Sequence, residues 1–194
     1  MKKQEIIETI TEEEDAKKEK MKYYDYHEIF VRARTTMPIL GGKTGNPEKC
    51  LEYDCEQINV FDRDEKGKIF FPAIWIRAML RETSNMVKFS SIVATKWLKY
   101  TNFAVETNGS KPEKLEMKIQ PKTRGVAVGR KSNFEMLKAP IEFFGSIYIP
   151  ESAVKLGVFK KWFALAGTCE GTGAFRKGYG LFEIVEMTDK GAVF

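Results

Sequence analysis

The last third of the chain runs strand, helix, strand, and that order constrains the fold more than any other feature. Ile141, Phe143, Gly145, Ile147 and Ile149 recur at every second position, the period of a strand with one buried face. Pro150 ends the run. Ser152 is placed to cap a helix over 152–166, with Val154, Phe159, Trp162, Phe163 and Ala166 as its apolar stripe. A strand over 181–186 closes the unit. A matching half precedes it. Ile29, Val31 and Ala33 alternate with Phe30, Arg32 and Arg34 and predict a strand over 28–36. Pro72 then suits the first turn of a helix over 72–88. On that helix Trp75, Met79, Glu82 and Met86 share one stripe, flanked by Ile76, Leu80 and Val87. Two such halves predict an α+β fold: a ferredoxin-like or RRM-like sheet with helices on one face, plus hairpin or loop insertions.

The segments between these units read less clearly. Val60 to Phe71 predicts a hairpin turning at Asp62 to Gly67. Gly41 to Pro47 is a loop by its turn chemistry, without the spacing of a nucleotide-binding glycine loop. Ile92 to Tyr100 fits a strand or a short helix. Lys118 to Lys131 holds Lys118, Lys122, Arg124, Arg130 and Lys131 and no acid, interrupted by Pro121, Gly125 and Gly129. It reads as a basic hairpin or extended excursion, equally a solvated loop or a nucleic-acid contact.

Between the last helix and the last strand lies Gly171-Thr172-Gly173-Ala174-Phe175-Arg176-Lys177-Gly178-Tyr179-Gly180. Glycine adopts positive φ and lets another backbone approach closely. Successive free N–H groups in such a loop can form an anion-binding concavity, and Arg176 and Lys177 add charge to it. This pattern suits a phosphate backbone better than a small apolar ligand.

Bulk composition sets the remaining bounds. A length of 194 residues with 43% hydrophobic residues is enough for one core. The net charge is +5, but residues 1–20 carry five lysines against seven acids and leave +7 on the remainder. We therefore expect a flexible charged arm over 1–20, with Ile6, Ile7 and Ile10 as its anchoring face if a partner orders it. A single domain is expected over 21–194, with an insertion around 107–138. A basic body is compatible with nucleic acid. No apolar run is long enough to span a bilayer and the N-terminus lacks a signal-peptide stretch, so a cytoplasmic location without membrane contact is expected. Cys50, Cys55 and Cys169 lack metal spacing and His27 is the one histidine, so neither a metal nor a cofactor is expected.

At the level of motifs the chain resembles the RAMP superfamily of CRISPR-associated RNA-binding proteins. The residues that carry the resemblance are Phe70-Phe71-Pro72-Ala73-Ile74-Trp75-Ile76-Arg77-Ala78-Met79-Leu80-Arg81-Glu82 after a strand, and the glycine run feeding the last strand. Arg77 and Arg81 match that family's helix, and Gly171 to Gly180 match its C-terminal loop. Arg63 to Gly67 is also similar to uncharacterised phage and prophage proteins of low-GC bacteria that look like distant RAMP relatives. The resemblance covers about half the chain. The chain is short for a backbone subunit of a CRISPR complex, and no acid sits where some such subunits carry a cleavage residue. What the resemblance implies is RNA or single-strand binding more than cleavage.

Three classes of function follow. The first is non-catalytic binding of single-stranded nucleic acid, RNA favoured, in a subunit that oligomerises or meets CRISPR or phage proteins. Its phosphate contacts are Arg32, Arg34, Arg77, Arg81, Lys122, Arg124, Arg130, Lys131, Arg176 and Lys177. Gly171, Gly173, Gly178 and Gly180 shape the loop, and Tyr179 and Phe30 can stack bases. The second is a phage assembly protein or a mimic of a CRISPR subunit. The third is a metal-independent endoribonuclease with His27 as general acid or base beside Tyr23, Tyr24 and Tyr26. A lone histidine makes an enzyme the weaker expectation.

Overall fold

Strand β1 (Tyr26–Thr35) is the spine of the molecule because both of its edges are paired. The computed structural model describes residues 26–46, 57–119, 122–123, 126–127, 130–150, 152, 154–174 and 178–193. The further elements of the main sheet are β5 (Asp62–Arg63), β6 (Ile69–Phe71), β7 (Lys99–Tyr100), β8 (Phe103–Glu106), β13 (Glu142–Pro150) and β14 (Phe182–Ala192). Their order is β14-β1-β13-β8-β6-β5, with β7 also on β13, and every pairing is antiparallel. Among the described residues two α-helices cross between strands: α1 (Ala73–Thr83) between β6 and β7, and α2 (Leu156–Cys169) between β13 and β14. Taking β1, β8, β13 and β14 as the four principal strands, the order is that of a ferredoxin-like sheet, as the two strand–helix halves predict.

Alternation decides which face is buried. Ile29, Val31 and Ala33 of β1 and Phe143, Ile147 and Ile149 of β13 are at most 2% exposed. Ile76, Met79 and Leu80 of α1 and Phe159, Trp162, Phe163 and Ala166 of α2 cover them. Full burial of one such side chain contributes about 1.5–3 kcal/mol. Phe143 and Phe182 meet edge-on with ring centroids 5.1 Å apart, and Phe163 lies 5.5 Å from Phe182. The two helices are joined by Trp162, whose Nε1–H donates to Thr83 Oγ1 at 3.0 Å. Gly167 permits this packing, since a Cβ there would meet the Phe182 ring at 2.5 Å.

A second sheet is built around β12 (Arg130–Leu137). Its neighbours are β2 (Ile39–Leu40), β4 (Gln57–Val60) and β9 (Glu113–Ile119), with β3 (Lys43–Thr44) on β4. The β12–β4 pairing is parallel. Between β9 and β12 in sequence, β10 (Lys122–Thr123) and β11 (Val126–Ala127) pair as a two-residue antiparallel ladder.

Several elements differ locally from what the sequence predicts. The last helix begins at Leu156 behind Lys155, and Ser152 is not its cap. The buried side of α1 is Ile76, Met79, Leu80 and Thr83, whereas Met86 is 60% exposed beyond the helix end. Thr83 joins that side because its hydroxyl turns back to the Met79 carbonyl and receives Trp162. Lys43 and Thr44 are a short strand rather than loop, since β4 supplies their pairing. The segment after Ile92 is both things at once, a π-helical turn over Val93–Trp97 and then β7.

Candidate nucleic-acid interface

The face of the main sheet turned away from the helices carries the even-numbered residues of β1 and β13. Register builds it row by row. Phe70 lies opposite Ala104, Ala104 opposite Phe144, Phe144 opposite Arg32, and Arg32 opposite Glu186. The next row towards the end of β1 places Glu106 opposite Glu142, Glu142 opposite Arg34, and Arg34 opposite Glu183. In the other direction Phe30 faces Ser146 and Thr188, and Glu28 faces Tyr148. Four half-buried rings, Phe30, Phe70, Phe144 and Tyr148, are thus displayed on one surface.

Phe30 and Phe144 form the centre of this surface, with ring centroids 6.2 Å apart. Each ring has a cation over it. The Arg32 guanidinium carbon is 5.2 Å from the Phe144 centroid, and Lys190 Nζ is 5.3 Å from that of Phe30. Cations near ring faces are held by the ring quadrupole. Glu142 braces both arginines, accepting from Arg34 Nη2 at 2.6 Å, Arg34 Nε at 3.1 Å and Arg32 Nη1 at 3.2 Å. The hydrogen bond from Arg34, helped by Arg32, holds the Glu142 carboxyl below its ordinary range. Glu142 in turn raises the Arg34 guanidinium further above its ordinary value. Charge on the face is mixed, because Glu28, Glu106, Glu183 and Glu186 also lie there. Its distinguishing property is the display of rings with fixed cations.

The glycine run sits at the Thr35 end of β1. Thr36 N–H donates to the Leu181 carbonyl at 2.8 Å, and Gly180 N–H to Pro38 at 2.7 Å. Ala174 N–H donates to Leu40 at 3.1 Å, Thr172 N–H to Gly180 at 3.0 Å, and Gly171 N–H to Ala166 at 2.9 Å. Gly171, Gly173 and Gly180 have φ of +71°, +90° and +66°. The glycines therefore let the loop fold on itself and on β2. Four of its N–H groups are used in that closure and are not directed at an outside anion. Tyr179 is half-buried and Gly178 exposed. Arg176 and Lys177 lie outside the described residues.

The remaining sequence-derived positions are spread around the molecule. Arg77 and Arg81 are on α1, on the helical side of the sheet. Arg81 pairs with Glu82 at 2.7 Å, and Arg77 acts electrostatically on Tyr100. Burial pushes the Tyr100 phenol well above its ordinary range, and its hydroxyl donates to the Ala94 carbonyl at 2.7 Å. Lys131 is exposed on β12. Lys122 and Arg130 belong to β10 and β12, their side chains outside the described residues, as is all of Arg124. His27 lies with Nδ1 3.3 Å from both oxygens of Asp189. It lines a cavity of about 350 Å³ together with Ile29, Ile149, Val154, Lys155 and Leu156. Of the sequence-derived positions whose side chains are described, Arg32, Arg34 and Phe30 are brought together on one surface. Phe144, Tyr148 and Lys190 complete that surface and are not among the positions expected from sequence, although the period of 141–149 already places Phe144 and Tyr148 on its second face.

Among the described residues no helix is long and apolar enough to cross a membrane. No protein-family model and no curated protein matches the chain. Solved structures do. A chain of the type III-B Cmr-beta bound to cognate target RNA, solved by cryo-EM, matches with a TM-score of 0.60 at 20% identity, over 96% of this chain and 68% of that one. The crystal structure of Cmr6 from Pyrococcus furiosus matches with a TM-score of 0.52 at 10% identity, over 84% of this chain and 99% of that one. The chain is therefore similar in fold to both of these proteins.

Proposed function

We propose that the protein binds single-stranded nucleic acid, RNA favoured, without cleaving it, as a subunit of a larger CRISPR-related assembly. The observation that carries this reading is the Phe30–Phe144 pair with Arg32 and Lys190 over its rings. Bases stack on aromatic faces whatever their sequence, and each stacked base contributes about 1–3 kcal/mol. Fixed guanidiniums beside the rings meet the phosphates between stacked bases. From the sheet the strand would continue past Arg34 to the glycine run, where Arg176, Lys177 and Tyr179 supply further contacts. The solved structures similar in fold support the reading in one respect: one of them was determined with target RNA bound.

The test is fluorescence anisotropy of labelled single-stranded RNA and DNA over a salt series, with wild type, Phe30→Ala/Phe144→Ala and Arg176→Ala/Lys177→Ala. The reading expects loss of at least tenfold in affinity on removing the rings, at about 1–3 kcal/mol per stacked base. It expects a shallower salt dependence on removing the loop cations. Undiminished binding by the ring variant, or no binding by wild type at low salt, refutes it. A second reading, metal-independent RNA cleavage, is favoured by the His27–Asp189 pair beside its cavity. The pair would orient the imidazole for proton transfer. Cleavage of labelled RNA in EDTA that disappears in His27→Ala would establish it.

A further inference from the structure

Glu28 stands apart on the aromatic face. It is half-buried on β1, in register with Tyr148 on β13 and two residues from Phe30 on the same side of the sheet. The other half-buried carboxylates of this face are neutralised, Glu142 by Arg34 and Arg32, and Glu106 by Arg32 at 3.7 Å. No cation among the described residues pairs with Glu28. Its polar partner there is Ser146, whose hydroxyl donates to Glu28 Oε1 at 2.6 Å. A negative charge without a counter-ion works against a surface that holds phosphates. Partial burial adds to that cost unless donors meet the carboxylate.

The carboxylate is nevertheless fixed in place. Ser146 N–H donates to Thr101 Oγ1 at 2.9 Å, and Thr101 N–H donates to the Ser146 carbonyl at 3.0 Å. The hydroxyl that holds Glu28 therefore stands on pinned backbone and is itself buried. It fills one of the roughly four acceptor sites of a carboxylate. The rest are open to donors from outside, beside rings that can hold a base. Tyr148 lies directly across the ladder, at a spacing of about 5 Å between Cβ atoms. Phe30 is about 7 Å along the strand, so a base stacked on its ring turns an edge towards Glu28.

We propose that Glu28 is the specificity-determining residue of the aromatic face and that it selects guanine. In a single strand the Watson–Crick edge is free to be read. Guanine carries two adjacent donors there, the ring N1–H and the 2-amino group, and these match the two oxygens of one carboxylate. Adenine and cytosine set a ring-nitrogen acceptor beside their amino group, and uracil sets its N–H between two carbonyls. Each of those edges brings an acceptor against the carboxylate. Ser146 is a positioning residue, since it acts through Glu28. This inference rests on the strand-binding reading, to which it adds base preference.

The experiment is fluorescence anisotropy with the full chain and three labelled strands. They are uridylate alone, uridylate with one central guanosine, and uridylate with one central inosine, which lacks the 2-amino donor. Wild type, Glu28→Gln and Ser146→Ala are compared, with thermal melts of each. Wild type should prefer the guanosine strand about tenfold, the scale of one bidentate base contact, and most of that preference should vanish with inosine. Glu28→Gln should lose the preference while binding plain uridylate at least as tightly as wild type does, because a negative charge is gone from beside the phosphates. Ser146→Ala should keep uridylate affinity and show a reduced preference. Equal wild-type affinities for the uridylate and guanosine strands, or a preference that survives in Glu28→Gln, overturn the assignment and leave Glu28 to a cation of a neighbouring protein. Neither result touches the stacking of bases on Phe30 and Phe144. If Glu28→Gln does not fold, the guanosine and inosine strands with wild type still decide. Absence of binding to every strand instead removes the strand-binding reading and the guanine contact with it.

Discussion

Replacing Gly180 by alanine tests whether the glycine run is a structural closure, and the structure fixes the expected size of the effect. Gly180 has φ of +66°, a conformation that costs an alanine roughly 1–2 kcal/mol. Its Cβ would overlap the Thr172 carbonyl oxygen, with the Thr172 carbonyl carbon 2.9 Å away. Those are backbone atoms that no side-chain rotation can move aside. Relief requires shifting the loop, which loosens Thr172 N–H to Gly180 and Gly180 N–H to Pro38. Each hydrogen bond contributes about 0.5–1.5 kcal/mol. The total is about 2–5 kcal/mol, or roughly 4–20 °C in Tm for a chain of this size. Gly178 is the control in the same loop, because a Cβ there meets nothing within 4 Å and its φ is not positive. Differential scanning fluorimetry of Gly180→Ala, Gly178→Ala and wild type measures the contrast. If both variants melt within about 1 °C of wild type, smaller than even a 1 kcal/mol loss would give, the loop is not closed on β2 and the account of why these glycines are needed is wrong.

Other consequences follow from single contacts. Trp162→Phe removes the donor to Thr83 Oγ1 and part of a buried ring, so denaturant unfolding should show a loss of about 1–3 kcal/mol. Glu142→Gln releases Arg32 and Arg34 from a carboxylate and should tighten single-strand binding several-fold at low salt, read by anisotropy. The same variant tests pH linkage. Glu142 has its folded-state pKa lowered from an ordinary 4.5, so its stabilisation is present above that value and is lost as pH falls through the folded-state value. Acid unfolding of wild type should therefore include a component below pH 4.5 that Glu142→Gln lacks, and coincident profiles would count against the brace.

How much of this could be read from the chain depends on where the signal is local. The strands β1 and β13 are legible because one face of each packs against helices, and burial of Ile29, Val31, Phe143 and Ile147 imposes period two on the residues themselves. Phe30 and Arg32 are legible for the same reason. Their grouping with Phe144 is not, because it depends on register, and register is set across the sheet. The second sheet is hidden altogether: β12 and β4 pair in parallel from distant segments, and nothing near Gln57 or Ser132 signals a partner. The glycine run is legible as a place of special backbone, while the use of its N–H groups is not. A positive φ serves an anion nest and a folded-over loop equally well, and only the positions of Pro38 and Leu40 decide between them. Arg77 and Arg81 show the reverse error of scale, since a local helix motif cannot say which side of the sheet the helix covers.

Photo-crosslinking to 4-thiouridine RNA, with the adducts located by mass spectrometry, tests the central claim most directly. Adducts concentrated on Phe30, Phe144 and Tyr148 are predicted, because those rings are displayed together on the face opposite the helices. Adducts confined to α1, around Arg77 and Arg81, with none on β1 or β13, would contradict it.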